Sequence, residues 1–308
     1  MNEVVLITGA NGMLAKSLAH ELEAEYTLKF LTRDVKQENA YRWDINSGYI
    51  DPEGLKDVNH IIHLAGSPIA EKRRTPERKR EIKKSRVDGA QLLLDELQKN
   101  NQKIDTFISA SAIGYYGAIT SNQIFTEDAP NADDFLGEVC RDWEHVAHSF
   151  KSNHVANKID IVRFGIVLDR DRGALKKIAA PIRFGLGSGV GTGKQWVPWI
   201  HIADLCGMLK FLMTQEEGGT YNAVAPEHVT NNAFTQEVAE VLKRKVILPN
   251  IPAFFIRLLF GEMAIVLLTG SRVSSTKITA QGFTFKYAKL NDALRNIYKK
   301  PQIDQKQQ

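Results

Sequence analysis

Short apolar runs alternate with longer stretches of helical spacing along this chain, and that alternation constrains the fold more than any single motif does. VVLITGA (Val4 to Ala10), TLKFLTR (Thr27 to Arg33), HIIHLAG (His60 to Gly66), TFISASA (Thr106 to Ala112) and IDIVRFGIVL (Ile159 to Leu168) read as buried strands. Helical patterns occupy Met13 to Ala24, Arg78 to Lys99 and Glu138 to Lys151. Strands that alternate with helices of this length build parallel β-α-β units, because a parallel partner can be reached only by a crossover. The expected fold is therefore α/β, a Rossmann-type doubly wound parallel sheet with helices on both faces.

Beyond Leu168 the pattern changes. Glycine fills every second position from Gly185 to Gly193, and helical spacing returns at Asp204 to Thr214 and Asn232 to Lys243. The run AFFIRLLFGEMAIVLL is interrupted by Arg257, Gly261 and Glu262, so it reads as a packing helix and not as a membrane span. These features predict a smaller C-terminal α+β lobe. The expected division is 1–168 with 200–222 for a cofactor-binding domain, and 169–199 with 223–300 for the smaller one. A chain of 308 residues with 43% hydrophobic and 25% charged content can fill such a core.

Two cysteines, Cys140 and Cys206, are too few for a disulfide framework. The N-terminus reads as a strand, not a leader, and a cytoplasmic protein is expected. Net charge is only +4, yet Glu71 to Arg86 holds nine basic and three acidic residues. Without interleaved aromatics this run reads as a solvated helix face, and neither nucleic acid nor a membrane is an expected partner.

The first β-α junction carries the first chemical signal. Gly9, Gly12 and Ala15 stand at G-x-x-G-x-x-A spacing, with Asn11 inside the turn and a helix beginning near Met13. Small residues there permit a tight turn and close approach of a pyrophosphate, while the helix offers free N–H groups to the anion. The second strand ends Thr32-Arg33-Asp34. Arginine accommodates a 2′-phosphate where a carboxylate would bind a 2′-hydroxyl, so NADP is expected, with NAD less favoured. Asp44 in WDI is a candidate for the adenine amino group, or a plain turn aspartate.

Taken together, ITGANGMLA, HLAGSPI, SRVDGAQLL, ISASAIGYYG, VCRDWE, VRFGIVL, QWVPWIHIAD, TYNAVAPEHVTN and GSRVSS resemble the atypical extended short-chain dehydrogenase/reductases called the epimerase family. The resemblance covers nearly the whole chain, including that family's small C-terminal domain of unknown function. It implies that the glycine turn with Met13 and Leu14 holds the pyrophosphate, that Arg33 meets the ribose and that Asp44 meets the adenine. It further implies that Leu64, Ala65 and Gly66 pass beneath the nicotinamide half and that Ser109 and Ser111 flank it.

Reductases and epimerases of that superfamily use a tyrosine whose pKa is lowered by a lysine four residues on. The residues four beyond the eight tyrosines here are Phe30, Ile45, Glu53, Ile119, Thr120, Ala225, Asn291 and Gln302, so the pair is absent. Alignment of VCRDWEHVA puts Leu136 and Cys140 at the two positions. Candidate replacements are Ser111 to polarise a carbonyl, Tyr115 or Tyr116 to donate a proton, and His201 in WIHIAD as acid/base. Each has a structural alternative: the tyrosines as core caps, and His201 with Asp204 as a turn in which Asp204 serves early helix N–H groups.

Arg163, with Lys176, Lys177, Lys194, Gln195 and Trp196, suits an anionic ligand bearing a flat apolar group. The glycine-rich run departs from a P-loop at Ser188 and Gln195. Two function classes remain open. One is an NADP-dependent oxidoreductase or epimerase on a small carbonyl or nucleotide-sugar-like substrate; the other is a non-catalytic, NADP-sensing regulatory or scaffold protein.

Overall fold

The computed structural model describes residues 2–36, 38–69 and 73–299. Eight strands form the main sheet: β1 (Val4–Thr8), β2 (Thr27–Thr32), β3 (Ala40–Asp44), β4 (Tyr49–Ile50), β5 (His60–His63), β6 (Ile104–Ala112), β8 (Ala156–Phe164) and β11 (Thr220–Ala223). Their spatial order is β11-β8-β6-β5-β1-β2-β3-β4. All neighbours are parallel except β4, which returns antiparallel along β3. The order reverses beside β1, the switch point at which doubly wound sheets open a crevice for a ligand.

Period-two side-chain direction explains why β1 has no polar face. Leu6 points into one half of the core with Leu93 and Leu97 of α3 (Pro76–Lys99) and Trp143 and Phe150 of α4 (Phe135–Ser152). Val5 and Ile7 point into the other half, with Leu18 and Leu22 of α1 (Met13–Leu22) and Leu205 and Leu209 of α6 (Ile202–Met213). A short helix, α2 (Pro52–Leu55), follows β4 and packs Gly54 against Tyr41 of β3 and Leu31 of β2.

The expected long strand Ile159–Leu168 is divided at Gly165. Any Cβ there would lie 2.7 Å from Pro198 O. The chain leaves the main sheet at this contact, and β9 (Ile166–Leu168) pairs in parallel with β10 (Trp199–His201) instead. A third core gathers around Trp199, which packs with α5 (Gly173–Arg183), α7 (Asn231–Val241) and α11 (Leu290–Tyr298). A second small pair joins β7 (Ile124–Phe125) to β12 (Arg272–Val273), which ties the C-terminal segment to the loop after β6.

Two expectations change in the structure. The run AFFIRLLFGEMAIVLL is not one packing helix: it breaks at Gly261, where φ is +58°, into α8 (Ala253–Phe260) and α9 (Ala264–Leu268). Only Ile256 of α8 is buried. α10 (Thr276–Ala280) follows β12.

The basic run is not simply a solvated face either. Glu71 and Lys72 lie outside the described residues, but Arg78 and Arg86 of α3 are buried. Lys79, Arg80 and Lys83 pair with Glu262, Glu77 and Asp142. α3 itself begins two residues before its predicted start because Thr75 caps the Arg78 N–H and Pro76 opens the first turn.

Candidate functional site

The β1–α1 junction is built as a cradle. Gly9 sits at φ +76°, and a Cβ there would lie 3.1 Å from Ala65 Cα. A side chain at that position would be both strained and obstructed. Gly12 donates its N–H to Gly9 O at 2.8 Å and caps α1 without a side-chain bond, with no acidic residue in the first turn. The start of α1, at Met13 and Leu14, therefore presents backbone N–H groups and a partial positive charge with no side chain spent on them. Asn11 Nδ2 donates to Thr32 Oγ1 at 3.1 Å, which fastens this turn to the end of β2.

At the tip of β2 two oppositely charged groups are treated differently. Asp34 is paired with Lys36 at 2.5 Å. Arg33 is exposed, and among the described residues its guanidinium has no hydrogen bond or ion pair. Asp44, one strand further out, accepts the Asn46 N–H at 2.9 Å through Oδ1. That bond holds its carboxyl below the ordinary range and makes it the hinge of the β3–β4 hairpin.

The floor of the crevice is Leu64, Ala65 and Gly66, after β5. Thr8 Oγ1 accepts the N–H groups of Leu64 and Ala65 at 3.0 and 3.1 Å and lies 3.0 Å from His63 Nδ1. An oxygen that accepts twice has its own proton to give, so it donates to Nδ1. His63 is packed among Trp43, Phe107 and Trp143, and burial pushes its pKa down to about 4. On the other side Arg86 packs against Gly66 and donates to Ser67 O at 3.1 Å. Thr8 and Arg86 thus fix this floor, and the sequence reading missed both.

The wall beyond it holds the candidate catalytic residues, and most of their polar atoms are already engaged. Ser111 Oγ donates to Glu144 Oε1 at 2.6 Å. Arg163 grips the same carboxylate with two bonds, Nε to Oε1 at 2.9 Å and Nη2 to Oε2 at 2.8 Å. Its Nη1 donates to Tyr116 OH at 2.9 Å and to Glu127 O at 3.1 Å. Tyr116 OH then donates to Asn222 Oδ1 at 2.6 Å, and the Asn222 N–H donates to Glu127 Oε1 at 2.9 Å. Ser111, Tyr116, Glu127, Glu144, Arg163 and Asn222 are all buried.

This network corrects several expectations. Arg163 is an internal ion-pair partner, not a contact for an anionic ligand. Tyr116 is not a tuned acid: burial pushes its phenol up to about 12. Ser111 has spent its proton on Glu144, and Ser109 has spent its own on Ala110 O at 3.1 Å. Gln195, offered as a ligand contact, is buried and donates to Val190 O and Leu267 O.

His201 is the N-cap of α6, with Nδ1 accepting the Ala203 N–H at 3.0 Å. Its ring packs on Tyr287, and burial lowers its pKa to about 4. Asp204 does not serve its own helix; its carboxylate accepts the N–H groups of Lys286 and Tyr287.

Leu136 and Cys140 lie on α4 over a 3-10 turn, Ile113–Tyr116, with Leu136 packing on Gly114. The Cys140 thiol faces Ala112 O, and burial pushes it up to about 12. Tyr115 is the exception in the wall. It is half-buried, its ring lies 3.5 Å from Arg163 Cζ, and its hydroxyl has no partner among the described residues. Glu127, Glu144 and Asn222 were not anticipated. The only available signal for Glu144 was a carboxylate on the same helix face as Cys140, four residues on.

The site's geometry agrees with what the chain is similar to. Residues 5–134 match the model of the NAD dependent epimerase/dehydratase family, and residues 251–297 match a domain of unknown function, DUF1731. An epimerase family protein of Arabidopsis thaliana, described as SDR39U1 homolog, chloroplastic, is 34% identical over 95% of this chain and 86% of its own length. An epimerase family protein of Staphylococcus haemolyticus is 32% identical over 95% of this chain and 98% of its own. Among solved structures, human epimerase family protein SDR39U1 (isoform 2) with NADPH superposes with a TM-score of 0.85 at 29% identity, covering 96% of this chain and 98% of that one. Over nearly its whole length this chain belongs to the epimerase family, a Rossmann-like NAD(P)-binding fold followed by that family's small C-terminal domain.

Proposed function

We propose that this chain binds NADP(H) and does not run the tyrosine-lysine proton relay. The observation that carries the dinucleotide choice is at the tip of β2, where Arg33 is left without a partner while Asp34 is neutralised by Lys36. A 2′-phosphate would meet a free guanidinium there, whereas the carboxylate that could select a 2′-hydroxyl is occupied. The solved human relative, whose structure is with NADPH, supports the same reading.

The residues fit the group. The Gly9–Gly12 turn and the N-terminus of α1 would hold the pyrophosphate, Arg33 the ribose phosphate, and the Leu64–Gly66 floor the nicotinamide half. When bound, the dinucleotide supplies a hydride donor or acceptor. The chain's own residues exclude water on the Ser111 side and keep that wall rigid through Glu144 and Arg163. With Ser111, Tyr116 and His201 committed to internal bonds, the wall holds a dinucleotide without offering a tuned acid to a substrate.

Titration of NADPH and NADH tests the first part. Arg33→Asp is expected to weaken NADPH much more than NADH, and equal losses for the two would remove the NADP assignment. A second reading, reduction of a small carbonyl, is favoured by one observation, the unpartnered hydroxyl of Tyr115. NADPH consumption over a panel of carbonyls that Tyr115→Phe abolishes, with NADPH affinity unchanged, would establish that reading in place of the non-catalytic one.

A further inference from the structure

α8 and the segment that leads into it carry apolar side chains outward. Phe254 is 60% exposed, Leu258 72%, Leu259 65% and Ile247 75%. The segment ending α5 runs beside them: Ile251 and Gly189–Gly191 exchange backbone bonds of 2.9 Å, and Arg244 Nε donates to Arg183 O at 3.0 Å. Phe184 and Leu186, both exposed, extend the surface. An apolar surface of this size on a protein otherwise rich in charged residues marks an interaction face.

Its charge is one-sided. Segments 183–194 and 243–260 hold Arg183, Lys194, Lys243, Arg244, Lys245 and Arg257, all exposed, and no aspartate or glutamate. Docking a second copy through this face would bring two like-charged sets together, whereas an anionic surface would neutralise them. The face is also held to the body of the molecule. Arg73 Nη2 donates to Leu258 O and Leu259 O at 3.3 Å, and Lys79 pairs with Glu262 at 2.6 Å.

We propose that this face seats the protein on the surface of a bilayer containing anionic phospholipid. Phe254, Leu258 and Leu259 enter the boundary between headgroups and acyl chains, and the lysines and arginines stay at the phosphates. Arg257 lies among the apolar residues of α8 and reaches the headgroups from there by its long stem. At eight residues α8 lies on the membrane and does not cross it, and no described helix is long and apolar enough to do so.

Co-sedimentation of the full chain with vesicles tests this. Vesicles of phosphatidylcholine and phosphatidylglycerol are expected to carry the protein down, and phosphatidylcholine alone to leave most of it in solution, with binding falling as salt rises. Phe254→Asp with Leu258→Asp should weaken binding on the order of a hundredfold. Replacement of Lys243, Arg244 and Lys245 by serine should do so to about the same extent, roughly fivefold per charge. Retained NADPH affinity in both variants shows that they are folded. No binding of the unaltered protein, or equal binding to the two lipid compositions, overturns the proposal. A lipid-indifferent dimer that Leu258→Asp dissociates also overturns it and assigns the face to a second copy.

Discussion

Glu144 of α4 and Arg163 of β8 face each other inside the protein in a two-bond ion pair, 2.9 Å at one oxygen and 2.8 Å at the other. The pair joins a helix to a sheet, one helical turn beyond Cys140. Charges this deeply buried are tolerated only when each remaining donor and acceptor is met. Ser111 and Tyr116 meet them here.

Glu144→Ala leaves the guanidinium buried without its counter-ion. The expected loss is about 3–5 kcal/mol of stability, read by denaturant unfolding. Glu144→Gln with Arg163→Met removes both charges and should recover much of that loss. If the single variant were as stable as the unaltered chain, the pair would not hold α4 to the sheet.

His201 makes stability sensitive to acid. Burial lowers its folded pKa to about 4 from the ordinary 6.5, so the unfolded chain binds the proton first. Stability from this group is fully present above pH 6.5 and is lost as pH falls towards 4, by up to about 3 kcal/mol. His201→Asn keeps a capping side chain and should remove this group's share of the slope in thermal melts, leaving the share of His63, which burial also lowers to about 4, without changing NADPH affinity.

Asp160 acts in the opposite sense. It is fully buried beside Lys158, and burial raises its carboxyl to about 6. Between pH 4 and 6 the folded chain holds a proton that the unfolded chain has released, so stability falls as pH rises through that window. Asp160→Asn should remove this slope and leave the His201 slope in place. Guanidinium unfolding at pH 4.5 and 6.5 separates the two, and an unchanged slope in the variant would exclude Asp160 as its source.

The main sheet was legible because β1, β5, β6 and β8 are buried almost throughout and each centres on a short apolar run, and because β2, though only partly buried, keeps the β-rich run TLKFLT. The short β4, β7 and β12 have two residues each and leave no such trace. In the site, the glycine turn and Arg33 were legible because local backbone and charge define them. Glu144, Glu127 and Asn222 were not: their roles come from partners 19 to 106 residues away, a distance at which no spacing rule operates. His201 was placed at the right helix boundary, yet the capping atom is its own ring nitrogen. The outward face of α8 eluded the reading because an apolar helix and an apolar interface have the same composition.

Gly165 offers a further experiment. Gly165→Ala would press a methyl against Pro198 O and is expected to cost about 1–3 kcal/mol. Hydrogen exchange should show the loss concentrated in β9 and β10, and a uniform loss would mean that this contact does not hold the two strands together.

The departure at Gly165 also decides how the chain becomes a protein. β11, the outermost strand beside β8, is made only after α5, β10 and α6. During synthesis the large sheet therefore waits at an open edge until residue 223 has left the ribosome, and β9, α5, β10 and α6 emerge before that edge is closed. The main sheet and the small β9–β10 pair are interleaved in time as well as in space, and a fragment ending at residue 168 would be an unfinished sheet.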